Sequence, residues 1–202
     1  MKKIFLLSAS LILCFNLHIL AQTDTDDVIF NADLQNVFAI TVTSGNTQNA
    51  VFDTPAEYNL GINAVGTSVF QVESTDDWYC DLNANGVNFN PVTGSGNLPV
   101  DNIGYWLEAI GSNTFGAELV LTQSNSSLAT SKSVTAVPVR IIDLGSSSNA
   151  GGQAENEFNL NWTMGTMQGD MHATSMMDQI ANGDFTLGTY TTTITLTATQ
   201  IP

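Results

Sequence analysis

The chain has 202 residues, with 19 Asp+Glu against 4 Lys+Arg and a formal net charge of -15. A surface this acidic excludes a protein that grips a phosphate backbone through a basic face, so nucleic acid is not an expected partner. A hydrophobic fraction of 43% excludes a disordered chain, and the length suits one domain with a full core.

The chain opens on Met1, Lys2 and Lys3, runs mostly apolar over 4–20 and reaches a small residue, Ala21, before polar Gln22. This predicts a secretory signal peptide over 1–21 and a mature domain over 22–202, with an acidic, mobile start at 22–27. The apolar run is shorter than the roughly 20 residues a span needs, so no transmembrane segment is expected after cleavage. The expected location is therefore outside the cytoplasm: secreted, at the cell surface or in the periplasm. Beyond the leader, Cys80 is the one cysteine, so no internal disulfide is possible. It alternates with apolar residues, which predicts a buried, inert thiol.

Taken in chain order, period-two alternation predicts strands over 37–43, 68–73 and 78–84. In the last of these, Trp78, Cys80, Leu82 and Ala84 share one face. Asn85-Gly86 then predicts a type I′ turn, returning Val87, Phe89 and Pro91 as the second arm of a hairpin. Further strands are predicted over 104–110, 117–122, 133–144 and 157–163, with a flexible Gly/Ser/Asn loop over 145–153. A short helix is predicted over 175–182, closed by Gly183. The chain ends on a predicted strand over 190–200, with Tyr190, Ile194, Leu196 and Ala198 on one face and alternate threonines on the other. Short strands with Gly, Asn and Ser turns predict an all-β, antiparallel, immunoglobulin-like β-sandwich with Greek-key-type connections.

Few motifs carry chemistry. Residues 81–86 match the first half of a calcium loop, but the twelfth position is Val92 in place of a bidentate Glu. The five methionines beyond the leader, Met164, Met167, Met171, Met176 and Met177, lie within 14 residues of one another and enclose His172. Thioether and imidazole suit Cu(I), so this segment is the candidate metal site; the competing reading is that methionine fills an irregular patch of core. Tyr105 and Trp106 alternate, so one of the pair is expected to face solvent as a ligand-stacking surface. No serine stands in G-x-S-x-G, and a non-enzymatic protein without cofactor is expected.

The end of the chain, Gly188, Thr189, Tyr190, Thr191, Thr192, Thr193, Ile194, Thr195, Leu196 and Thr197, resembles the last strand of secreted bacterial pilin-like and spore-coat-U-like sandwich domains. The segment 72–79 resembles a strand–Ser-Thr–Trp–strand corner of secreted proteins from Bacteroidetes-type bacteria. The resemblance implies an immunoglobulin-like fold and a role at the cell surface. The chain departs from chaperone–usher pilins in lacking a cysteine pair. The expected function is thus a structural or adhesive surface protein, a fibre or matrix subunit whose partners are itself or other surface proteins. Its assembly strand would carry Tyr190, Thr192, Ile194, Leu196 and Ala198. The alternative is a secreted module that binds glycan or metal.

Overall fold

Two β-sheets face one another across a core built from the alternate residues of their strands. The computed structural model describes residues 32–113, 131–144 and 147–201, and those from Gln35 onward form one compact unit. The expected leader, the acidic start at 22–27 and the expected strand over 117–122 lie outside the described residues. The strands are β1 (Phe38–Ser44), β2 (Ile62–Ser74), β3 (Trp78–Ala84), β4 (Asn90–Pro91), β5 (Ile103–Ala109), β6 (Lys132–Ser133), β7 (Val139–Ile142), β8 (Glu157–Met164), β9 (Tyr190–Thr191) and β10 (Ile194–Gln200). The helices are α1 (Pro55–Leu60) and α2 (Met176–Asn182).

One sheet has the order β1-β2-β8-β5-β6, the second β10-β3-β7, and β4 and β9 form a small separate ribbon; every pairing among them is antiparallel. The architecture is therefore all-β and sandwich-like, as the alternation predicts. Phe70 and Val72 from β2, Phe158, Leu160 and Trp162 from β8, and Tyr105 and Leu107 from β5 meet Trp78, Cys80 and Leu82 from β3 in one buried cluster. The Phe70 and Phe158 rings stack 5.1 Å apart, and Trp78 meets Phe158 edge-on at 6.0 Å. Burial of each such large side chain contributes roughly 1.5–3 kcal/mol.

A second, smaller cluster joins Leu98, Met176 and Phe185, with Phe52, Tyr58, Met164, Ile180 and Tyr190 packed against it. It draws on both helices and the β4–β9 ribbon. Helix α2 forms as expected: Ser175 caps it by accepting from the Asp178 N–H at 3.1 Å, and Gly183 ends it in the left-handed region at φ 83°. Helix α1 was not expected, because six residues carry no readable apolar stripe. Its sequence signal is Thr54-Pro55-Ala56-Glu57, a capping box with Pro at the helix start. Glu57 Oε2 accepts from the Thr54 N–H at 2.9 Å, while Thr54 Oγ1 accepts from the Glu57 N–H at 3.3 Å.

Three expected elements are corrected. The 78–91 hairpin does not form: β3 pairs with β10 and β7, and β4 pairs with β9. Neither Asn85 nor Gly86 takes the positive φ that a type I′ turn needs. Instead Asn85 donates its N–H to the Thr193 carbonyl at 2.9 Å, and its Oδ1 accepts from Thr192 Oγ1 at 3.1 Å. The 190–200 strand is split by the same contacts, because Thr192 and Thr193 turn toward Asn85 between β9 and β10. The 133–144 strand becomes β6 and β7 in different sheets, interrupted ahead of Pro138, which has no N–H to give a ladder.

The described part of the 145–153 loop is tied to the sandwich at Asn149. Asn149 Oδ1 accepts from the Trp78 N–H at 2.9 Å, and Asn149 Nδ2 donates to the Trp78 carbonyl at 2.7 Å. The Asn149 carbonyl accepts from Trp78 Nε1 at 2.8 Å and from Asn156 Nδ2 at 3.0 Å. The side chain and the backbone carbonyl of this one buried residue thus supply two bonds each.

Cys80 is buried as expected, and burial, with the Asp81 carboxylate adding to it, pushes its thiol up from 9.0 to about 12. The raised value means the folded chain keeps the proton that an unfolded chain releases. Its contribution to stability is full below pH 9.0 and is lost as pH rises toward about 12. A thiol reagent at pH 8 is expected to leave native protein unlabelled and to label it fully in denaturant. Rapid labelling without denaturant would show that the β3 face is open.

Candidate functional site

Strand β10 is held along its whole length by β3, in unbroken register from Ile194 opposite Ala84 to Gln200 opposite Trp78. Ile194, Leu196 and Ala198 pack against the core, and Thr195 and Thr197 are exposed on the other face. Gln200 Nε2 reaches Asp76 Oδ2 at 3.1 Å and anchors the end of the strand. β10 stands last in the order of its sheet, so one backbone edge has no ladder partner among the described residues. β1 stands last in the other sheet. It packs Ile40 against the core, yet leaves Phe38 and Val42, on the same face, 37% and 42% exposed. Neither strand contains a charged residue.

The expected assembly set is only partly brought together. Ile194, Leu196 and Ala198 lie on β10. Tyr190 belongs to β9, where its ring meets Phe185 at 5.9 Å and its hydroxyl lies 2.7 Å from the Thr186 carbonyl and 2.8 Å from that of Ser95. Thr192 is in the break between the two strands, bonded to Asn85. Tyr190 and Thr192 therefore build the turn into the edge strand and are not part of its pairing edge.

The methionine segment is a coiled loop followed by a helix. Gly165, Met167 and Gly169 all have positive φ, at 67°, 56° and 57°, which rules out a helix from Met164 onward. Met164 and Met176 pack into the smaller core cluster. Met171 is buried elsewhere, against Gly104, and its sulfur accepts from Thr166 Oγ1 at 3.1 Å. Met177 is exposed on α2, Met167 is half-buried, and His172 Nδ1 sits 3.2 Å from the Asp101 carboxylate. Three of the five thioethers thus have packing roles that account for them. Accordingly, the protein is expected to yield Cu(I) to a competing chelator without a lag. Retention against the chelator would restore the metal reading.

The calcium reading of residues 81–86 meets a carboxylate already in use. Asp81 lies within β3, and its Oδ1 accepts from Arg140 Nε at 2.6 Å. Arg140 also bonds Asp143 at 2.7 Å and stacks 3.5 Å over the Tyr79 ring. The other Lys or Arg among the described residues, Lys132, pairs with Asp170. Asp77, at the end of the sandwich, accepts from Ser148 Oγ at 2.6 Å and from the Asn149 N–H at 3.1 Å.

Of the two candidate stacking residues, Tyr105 is corrected. It faces inward on β5, is 1% exposed, and has its ring 6.1 Å from that of Trp162; burial raises its phenol above the ordinary value. Trp106, one position on, necessarily faces outward, where it is half-buried. Trp78 and Trp162 are in the core, and Trp162 Nε1 donates to Ser68 Oγ at 2.8 Å.

Sequence reasoning missed two polar groups. One is the Asn149 knot, which no local pattern announces. The other is a polar row on the outer face of the larger sheet, legible in Glu157, Asn159 and Asn161 as the second face of an alternating strand. No protein-family model matches the chain, and no curated protein matches it.

Proposed function

We propose that this is an exported, non-enzymatic structural or adhesive protein of the bacterial cell surface, associating with itself or with other surface proteins by backbone pairing along β10. The immunoglobulin-like description with Greek-key connections is part of the same reading. The observation that carries it is the edge itself. β10 offers seven residues in unbroken register, three of them Thr, with no bulge, proline or charge to block an incoming strand. Soluble proteins ordinarily guard such edges with those devices. On a chain of net charge -15, an uncharged edge is also where two copies approach with least repulsion.

The test is light scattering of the mature protein at about 0.15 M salt, where surface repulsion is screened beyond roughly 8 Å. Multiples of the mature mass are expected. A Thr195→Lys/Thr199→Lys variant keeps the inward face and the β3 ladder while placing charge along the edge, and is expected to run as a monomer with an unchanged melting temperature. A wild-type protein that stays monomeric overturns self-association along β10. So does a variant that still assembles. Removing residues from 188 onward is not the equivalent experiment, since it strips β3 of a neighbour and unfolds the smaller sheet.

A further inference from the structure

The outer face of the five-stranded sheet carries a row of side chains that the fold does not need. Trp106 on β5 stands opposite Asn161 on β8, and Asn161 stands opposite Thr67 on β2. Thr67 Oγ1 donates to Asn161 Oδ1 at 2.7 Å, and Asn161 Nδ2 donates to Glu108 Oε2 at 3.2 Å. The Asn161 amide is therefore fixed in orientation by two neighbours. It still has one lone pair and one N–H to offer, in a planar pair. The next row places Glu108 opposite Asn159, and beyond it Gln71 stands opposite Glu157. Thr67 is exposed, and Gln71, Glu108, Asn159 and Asn161 are all half-exposed. Trp106 alone of the three tryptophans lies outside the buried set.

We propose that this face binds a neutral glycan, with a pyranose ring stacked on the Trp106 indole and its hydroxyls bonded to Asn161, Glu108 and Thr67. A sugar ring presents a patch of C–H groups on one face and vicinal hydroxyls at its rim. An accessible indole beside an oriented amide and carboxylate matches both requirements. The charge of the chain selects within that class. With Lys132 and Arg140 both held in ion pairs, no Lys or Arg among the described residues is left to compensate a uronate or sulfate, while the carboxylates repel them. The assignment stands apart from edge pairing, because β10 belongs to the other sheet.

The experiment is a fluorescence titration of the mature protein with soluble neutral glucan, mannan and galactan, beside anionic polygalacturonate. Since Trp78 and Trp162 are buried, an emission change on binding reports Trp106. A saturable change with at least one neutral polymer is expected, and none with polygalacturonate. Trp106→Ala is expected to weaken retention on the immobilised polymer by at least about tenfold, and Asn161→Ala by about tenfold, with melting temperatures close to wild type. If Trp106→Ala fails to fold, Thr67→Val and Asn161→Ala, at an exposed and a half-exposed position, carry the test. No response to any neutral polymer overturns the proposal. Binding unchanged by Asn161→Ala and Thr67→Val, or binding of the anionic polymer alone, overturns it equally. The oligomeric state of the same samples is read separately, so a failed glycan site and a failed edge are distinguished.

Discussion

Asn149→Ala is expected to cost about 2–5 kcal/mol and to lower the melting temperature by roughly 10 °C. The side chain closes both backbone groups of Trp78, the residue that opens β3 and fills the core. Truncation leaves the Trp78 N–H and carbonyl without that partner in a buried setting, and each such group carries a penalty of about 1–3 kcal/mol. The backbone carbonyl of residue 149, which holds the Trp78 indole and Asn156, loses its placement as well. Against a total stability of about 5–15 kcal/mol, this is a large fraction. Urea denaturation followed by tryptophan emission measures it. A change under about 1 kcal/mol would show that the loop is held by something other than this amide.

Gly61→Ala is expected to be at least as severe, at about 3–5 kcal/mol. Gly61 ends α1 with φ 76° and ψ -179°, a region that a side chain other than hydrogen strongly disfavours. A Cβ there would lie 2.3 Å from the Gly165 carbonyl carbon and 2.4 Å from the Thr166 nitrogen. Both are backbone atoms, so no rotamer change relieves the contact. The helix must part from the turn that follows β8. Gly183→Ala is the control: it too has positive φ, at 83°, but a Cβ there meets nothing within 4 Å, so it reports conformational strain without overlap. A Gly61→Ala variant no less stable than Gly183→Ala would remove the overlap argument.

Much of the sandwich was legible because its signal is local. In β3, in most of β8 and in the second half of β2, alternate residues are the buried ones, and period two reveals such strands without knowledge of their neighbours. The capped helix α2 was readable for the same reason, from Ser175 and Gly183. Pairing was not legible. Asn85-Gly86 carries a strong hairpin signal, yet β3 takes neighbours more than 50 residues away, since its inward face fits best between β7 and β10. Nor could alternation choose between Tyr105 and Trp106 at the outer surface. That depends on which face of β5 meets the second sheet. The methionine cluster was conspicuous in sequence only because its members are close along the chain; in space Met171 and Met176 serve different cavities of the packing.

The order of strands in the larger sheet also bears on how the protein reaches its native state. β8 lies between β2 and β5, and the smaller sheet takes its first strand from the end of the chain. Few tertiary contacts can therefore form between residues near one another in sequence. Closing loops of this length comes before any energetic return, which makes folding slow for a domain of this size. Neither half can complete a sheet alone. A nascent chain stays without its native ladder until the final strand is available to join β3, and it is during that interval that self-association and proteolysis compete most strongly with folding.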